Sequence, residues 1–141
     1  MKSYTDLEQS KKLAEILPIE SADMVYLRCD FEDEDEYSIL VGSYHEGYAE
    51  REDGTIVPVF DEHIPAWSLA ALLNVLPLNL IVNNHNYAFS MVKGLNKNGE
   101  TYAIKYAIFN TTFYFHLTEF YNNPVDACVA MIEKLHERNL L

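Results

Sequence analysis

The chain has 141 residues, 49% of them hydrophobic, enough apolar side chain for a self-supporting core and far from the polar composition of a disordered chain. Its formal net charge is −12, with 17 carboxylates and five cations before His63 and five of each from His63 onward. The whole excess lies in the first half, where it repels nucleic-acid phosphates and argues against a direct DNA- or RNA-binding surface.

In chain order, Thr5 and Glu8 have the spacing of a capping box, and Leu7, Leu13, Ala14 and Leu17 predict an amphipathic helix over 5–17, stopped by Pro18. "MVYLRC" (Met24–Cys29) alternates as a short strand, with Val25, Leu27 and Cys29 on one face. "DFEDEDE" (Asp30–Glu36) carries six carboxylates, whose mutual repulsion predicts a solvated loop. "YSILVGSY" resumes as a strand. Asp53-Gly54 is the favoured pair for a two-residue turn and predicts a hairpin of 48–52 with 55–60, Pro58 placing the second run on an edge.

In "HIPAWSLAALLNVLP" (His63–Pro77), Pro65 suits a helix entrance and Ser68 an N-cap. Leu69, Leu72, Leu73 and Leu76 then fall at i, i+3, i+4 and i+7, which predicts a short helix with its leucine face in the core. Trp67 stands at the entrance, where it either covers the end of the core or protrudes. "YAFSMVKGL", "TYAIKYAIF" and "FYFHLTEF", with a turn at Asn98-Gly99, predict a three-stranded antiparallel meander. Asn123 as N-cap, Pro124 at the first helical position and Asp126 in the first turn open a C-terminal helix, whose apolar stripe is Val125, Cys128, Val129, Ile132 and Leu135.

The expected architecture is a single α+β domain over 1–141: an antiparallel sheet including a three-stranded meander, packed against N-terminal, central and C-terminal helices. The apolar run Ile64–Val82 is broken by Pro65, Asn74, Pro77 and Asn79, and "MKSYTDLEQSKK" lacks the apolar core of a signal peptide. The expectation is a cytoplasmic protein without membrane contact. Cys29 and Cys128, far apart among hydrophobic neighbours, fit buried free thiols in a reducing compartment.

Chemistry-bearing patterns are sparse. His45, His63, His85, His116 and His136 lack the spacing of a metal site, and a calcium loop counted from Asp30 would need Gly and Glu where Asp35 and Val41 stand. No metal or cofactor is expected. A Cys128–His116 pair is the one candidate for nucleophilic catalysis, but Cys128 lies on an apolar helix face, whereas a reactive thiol needs an exposed, electropositive setting. The aromatic residues Tyr102, Tyr106, Phe113 and Phe115 have too few cations around them for a base-stacking platform.

"SADM" (Ser21–Met24), "IPAWSLAALLNVLP" (Ile64–Pro77), "YAIKYAIF" (Tyr102–Phe109) and "NPVDACVAMIEKLHERNLL" (Asn123–Leu141) together resemble an uncharacterised family of small acidic proteins common in bacterial prophages and mobile elements. The acidic heptad and the Asp53-Gly54 hairpin have no counterpart in that resemblance. It implies a bacterial or phage accessory protein and brings no catalytic residues.

The resulting expectation is a non-enzymatic, protein-binding accessory factor with a basic protein partner, using Trp67 and the carboxylates Asp30, Glu32, Asp33, Glu34, Asp35 and Glu36. Two alternatives stand beside it. One is an acidic DNA mimic that inhibits a nucleic-acid-binding protein, the other a small hydrolase-like enzyme. Self-association through the final "NLL" or the meander edge is compatible with all three.

Overall fold

The computed structural model describes residues 1–28, 37–42, 48–50, 52–58, 62–108 and 114–141. It is an α+β protein whose chain divides into two compact units, Tyr4–Ala71 and Met1–Ser3 with Leu72–Leu141.

In Tyr4–Ala71, helix α1 (Leu7–Ala14) opens with a capping box one residue later than expected: Gln9 N donates to Asp6, and Asp6 N donates to the Gln9 side chain. Thr5 has another task. It is fully buried, its N–H donates to Trp67 O at 3.0 Å, and its hydroxyl accepts from Trp67 N at 3.1 Å. The hydroxyl also shares a hydrogen bond with Ser10 Oγ at 2.7 Å, while Thr5 O accepts from Tyr26 Oη at 2.8 Å. A residue committed to four hydrogen bonds elsewhere cannot also cap a helix.

A 3-10 turn (Ile19–Ser21) leads into β1 (Met24–Arg28), the central strand of an antiparallel sheet ordered β2-β1-β5, with β2 at Ser38–Val41 and β5 at Glu62–Ala66. Met24, Val25 and Leu27 are buried. Strand β5 replaces the helix entrance expected at Pro65, which instead lies opposite Val25. Because β5 is an edge of this sheet, proline's missing N–H is tolerated there.

The Asp53-Gly54 hairpin forms between β3 (Tyr48–Glu50) and β4 (Ile56–Pro58). The ladder closes at Glu50 with Ile56, so the reversal is wider than two residues. Asp53 accepts from the Thr55 N–H and hydroxyl, a side-chain turn that holds the longer loop, while Gly54 takes a positive φ of 82°.

Helix α2 (Leu69–Val75) is capped as expected by Ser68, whose hydroxyl accepts from Ala71 N at 3.2 Å. Asp23 braces that cap, accepting from both Ser68 N and Ser68 Oγ. Ala71, Leu72 and Leu76 are buried, whereas Leu73 is exposed. With Leu69 half-buried, the inward stripe runs through Ala71, Leu72 and Leu76 and leaves Leu73 on its edge.

In the second unit, β6 (Asn79–Val82), β7 (His85–Asn96), β8 (Gly99–Ala107) and β9 (Tyr114–Leu117) form a four-stranded antiparallel meander, the expected three strands plus β6. The β6–β7 turn is Asn83-Asn84, with φ of 51° and 64°. Both residues are left-handed, as a two-residue hairpin turn requires, and asparagine tolerates that region better than most side chains. At the next turn Asn96 pairs with Gly99, so the loop is Lys97-Asn98 and not Asn98-Gly99. Gly99 carries the positive φ of 118° at the start of β8.

Helix α3 (Pro124–Glu137) begins as expected, with Asn123 accepting from Asp126 N at 2.9 Å. Val125, Cys128, Val129, Ile132 and Leu135 are all buried, joined by Ala127 and Met131, each large aliphatic side chain being worth roughly 1.5–3 kcal/mol. The helix ends in a left-handed Asn139 (φ 56°), where Leu140 N donates to Leu135 O and Asn139 N to His136 O, the Schellman arrangement. Lys134 Nζ donates to Leu117 O at 3.0 Å, tying the helix to β9.

Candidate functional site

Trp67 is fully buried, and its indole N–H donates to Ser21 Oγ at 2.9 Å, with Ser21 Oγ in turn donating to Pro18 O. It completes the core beside Thr5 and presents no surface for a partner, so a contact role gains no support from it. Asp30, Glu32, Asp33, Glu34, Asp35 and Glu36 lie outside the described residues.

Cys128 is a free, buried thiol, and burial pushes its pKa up to about 12 from 9.0. A thiol held protonated at neutral pH is a poor nucleophile, which weighs against the hydrolase-like alternative. The His116 side chain and all of Cys29 and His45 lie outside the described residues. His63 is half-buried, and His85 and His136 are exposed. Among the described residues no three His, Cys, Asp or Glu side chains gather as a metal site.

The side chains that do converge were not indicated by spacing. Tyr37, just before β2, has Lys11 Nζ at 5.8 Å from its ring centroid and Arg28 Cζ at 5.9 Å, both within cation–π range. Next to them a surface cleft of about 440 Å³ opens beside α1 and β5. Ile19, Ile64 and Pro65 form its apolar wall, and Lys11, Glu15 and His63 supply polar groups. Lys11 comes from α1, His63 from β5 and Tyr37 from the approach to β2, so the β2-β1-β5 pairing and the packing of α1 on β5 bring them together. No local pattern could have revealed it.

A second polar group sits on the meander. Lys93 Nζ lies 2.9 Å from Glu100, Tyr102 Oη donates to Glu100 at 2.9 Å, and Lys93 stands over the Tyr102 ring. The Lys93 hydrogen bond, with that from Tyr102, holds the Glu100 carboxyl below its ordinary pKa. Lys93 and Glu100 are solvent-exposed over the buried Tyr102, and the group is internally satisfied, as expected of a cross-strand pair.

Charge follows the division of the fold. Tyr4–Ala71 carries 17 acidic and four basic side chains, a net −13, while Met1–Ser3 with Leu72–Leu141 carries five and six, a net +1. No family model, curated protein or solved structure matches this chain. No helix among the described residues is long and apolar enough to cross a membrane.

Proposed function

We propose that this chain is a non-enzymatic accessory protein of bacterial or phage origin, acting in the cytoplasm through protein contacts, with the acidic unit Tyr4–Ala71 meeting a basic protein partner. One observation carries the reading: the entire negative excess belongs to one compact unit, −13 against +1. A field concentrated on one unit steers a basic partner to that unit and disfavours the other. The high pKa of Cys128 supports the non-enzymatic part.

The test is capture by the tagged full chain from a bacterial lysate, beside an unrelated bait of equal net charge, with retained proteins identified by mass spectrometry. The expected result is a basic protein held by this chain and not by the control, released as salt is raised from about 0.05 to 0.5 M because the attraction is screened. Retention of the same proteins by both baits overturns the proposal. A retained nuclease, repressor or restriction enzyme displaced by duplex DNA would select the DNA-mimic alternative.

A further inference from the structure

We propose that the cleft beside α1 and β5 binds a small monocarboxylate with an aliphatic chain, a reading independent of the protein-contact proposal. Its volume of about 440 Å³ lies within the range of small-molecule sites, which are mostly apolar with a few placed polar groups. The lining has that division of labour: exposed Ile19, backed by the largely buried Ile64 and Pro65, offers the aliphatic surface, while Lys11 offers the nitrogen donors.

Lys11 is the anchoring group. Its ammonium stands over the Tyr37 ring, 5.8 Å from the centroid. An ammonium against an aromatic face still has N–H donors to present to an anion. Glu15 narrows the choice further. A carboxylate in the same lining repels a second negative charge, so a monoanion is favoured over a dicarboxylate or a phosphate dianion. The acidic background of the unit does not abolish the attraction, because at about 0.15 M salt charges beyond roughly 8 Å are largely screened and Lys11 acts at contact distance.

The experiment titrates the full chain with sodium hexanoate at about 0.15 M salt, following the Ile19 and Ile64 methyl and His63 ring resonances by NMR. Hexylammonium chloride, with the same chain and opposite charge, sodium acetate, with the charge and no chain, and inorganic phosphate are the comparators. The expected result is saturable shifts at these three residues with hexanoate alone, and a dissociation constant raised at least about fivefold by Lys11→Gln. Lys11 is exposed, so this variant leaves the core untouched, and its unchanged spectrum elsewhere verifies folding. Hexanoate shifts that stay linear, saturation by any comparator at the same concentration, or equal binding by Lys11→Gln overturns the proposal.

Discussion

Thr5 shows how a single polar residue organises a unit. Its N–H, carbonyl and hydroxyl all have partners inside the protein, and removing the hydroxyl strands Trp67 N and Ser10 Oγ. Thr5→Val, which keeps the shape, is expected to destabilise by about 2 kcal/mol, read from urea midpoints at constant m-value. The only tryptophan reports the same region: buried Trp67 should emit well to the blue of free tryptophan and resist acrylamide quenching, whereas red, readily quenched emission would contradict its burial. Cys128 gives a pH dependence of definite sign. Folded, its thiol holds its proton to about pH 12, while in the unfolded chain it ionises near 9.0. The native state therefore binds more protons between these values, and stability falls as pH rises through that window, by up to about 1.4 kcal/mol per pH unit for one group. Tyr106, whose pKa is raised by burial and then by Cys128, acts in the same direction. Urea midpoints from pH 8 to 11 should fall more steeply for the native chain than for Cys128→Ala.

Among the strands, β7 and β8 run longest, and the space beside Gly94 on β7 is tight. A Cβ built on Gly94 would lie 2.9 Å from Thr101 Oγ1 and 3.2 Å from the Phe120 ring, and Thr101 is buried. Gly94→Ala is therefore expected to destabilise by about 1–2 kcal/mol despite alanine's smaller unfolded-state entropy; a stabilised variant would show that Phe120 yields freely. Turns account for two departures from the expected elements. Asn-Gly and Asp-Gly pairs marked the right neighbourhoods, yet one loop formed at Lys97-Asn98 and the other lies within a reversal wider than two residues, while Asn83-Asn84 made the I′-type turn. Dipeptide preference locates a reversal, but cross-strand register chooses which residues occupy it. The helices were more legible. Asn123, Pro124 and the stripe from Val125 to Leu135 specified α3 because cap and apolar period agree within one segment.

For the whole molecule the decisive quantity is charge. Crowding a net −13 onto Tyr4–Ala71 costs self-repulsion that salt relieves. Stability measured by urea denaturation should rise between about 0.01 and 0.15 M sodium chloride. A flat response would mean that this repulsion persists equally in the unfolded chain. The same field suits a basic partner, while the Lys11–Tyr37–Arg28 group places local positive charge within the acidic unit.

Composition, the placement of the carboxylates, the α+β class and the C-terminal helix were all readable along the chain, because each depends on residue counts or on spacings within one or two turns. The strand identity of Glu62–Ala66, the burial of Trp67 and the addition of β6 were not. Pro65 reads as a helix entrance until β1 lies beside it, and Trp67 has no visible destination until Thr5 and Ser21 reach it. The candidate cleft was the least legible feature of all. His63 joins Lys11 and Ile19 there across a long sequence separation, and such a meeting comes from the folded packing of elements, which no local spacing encodes.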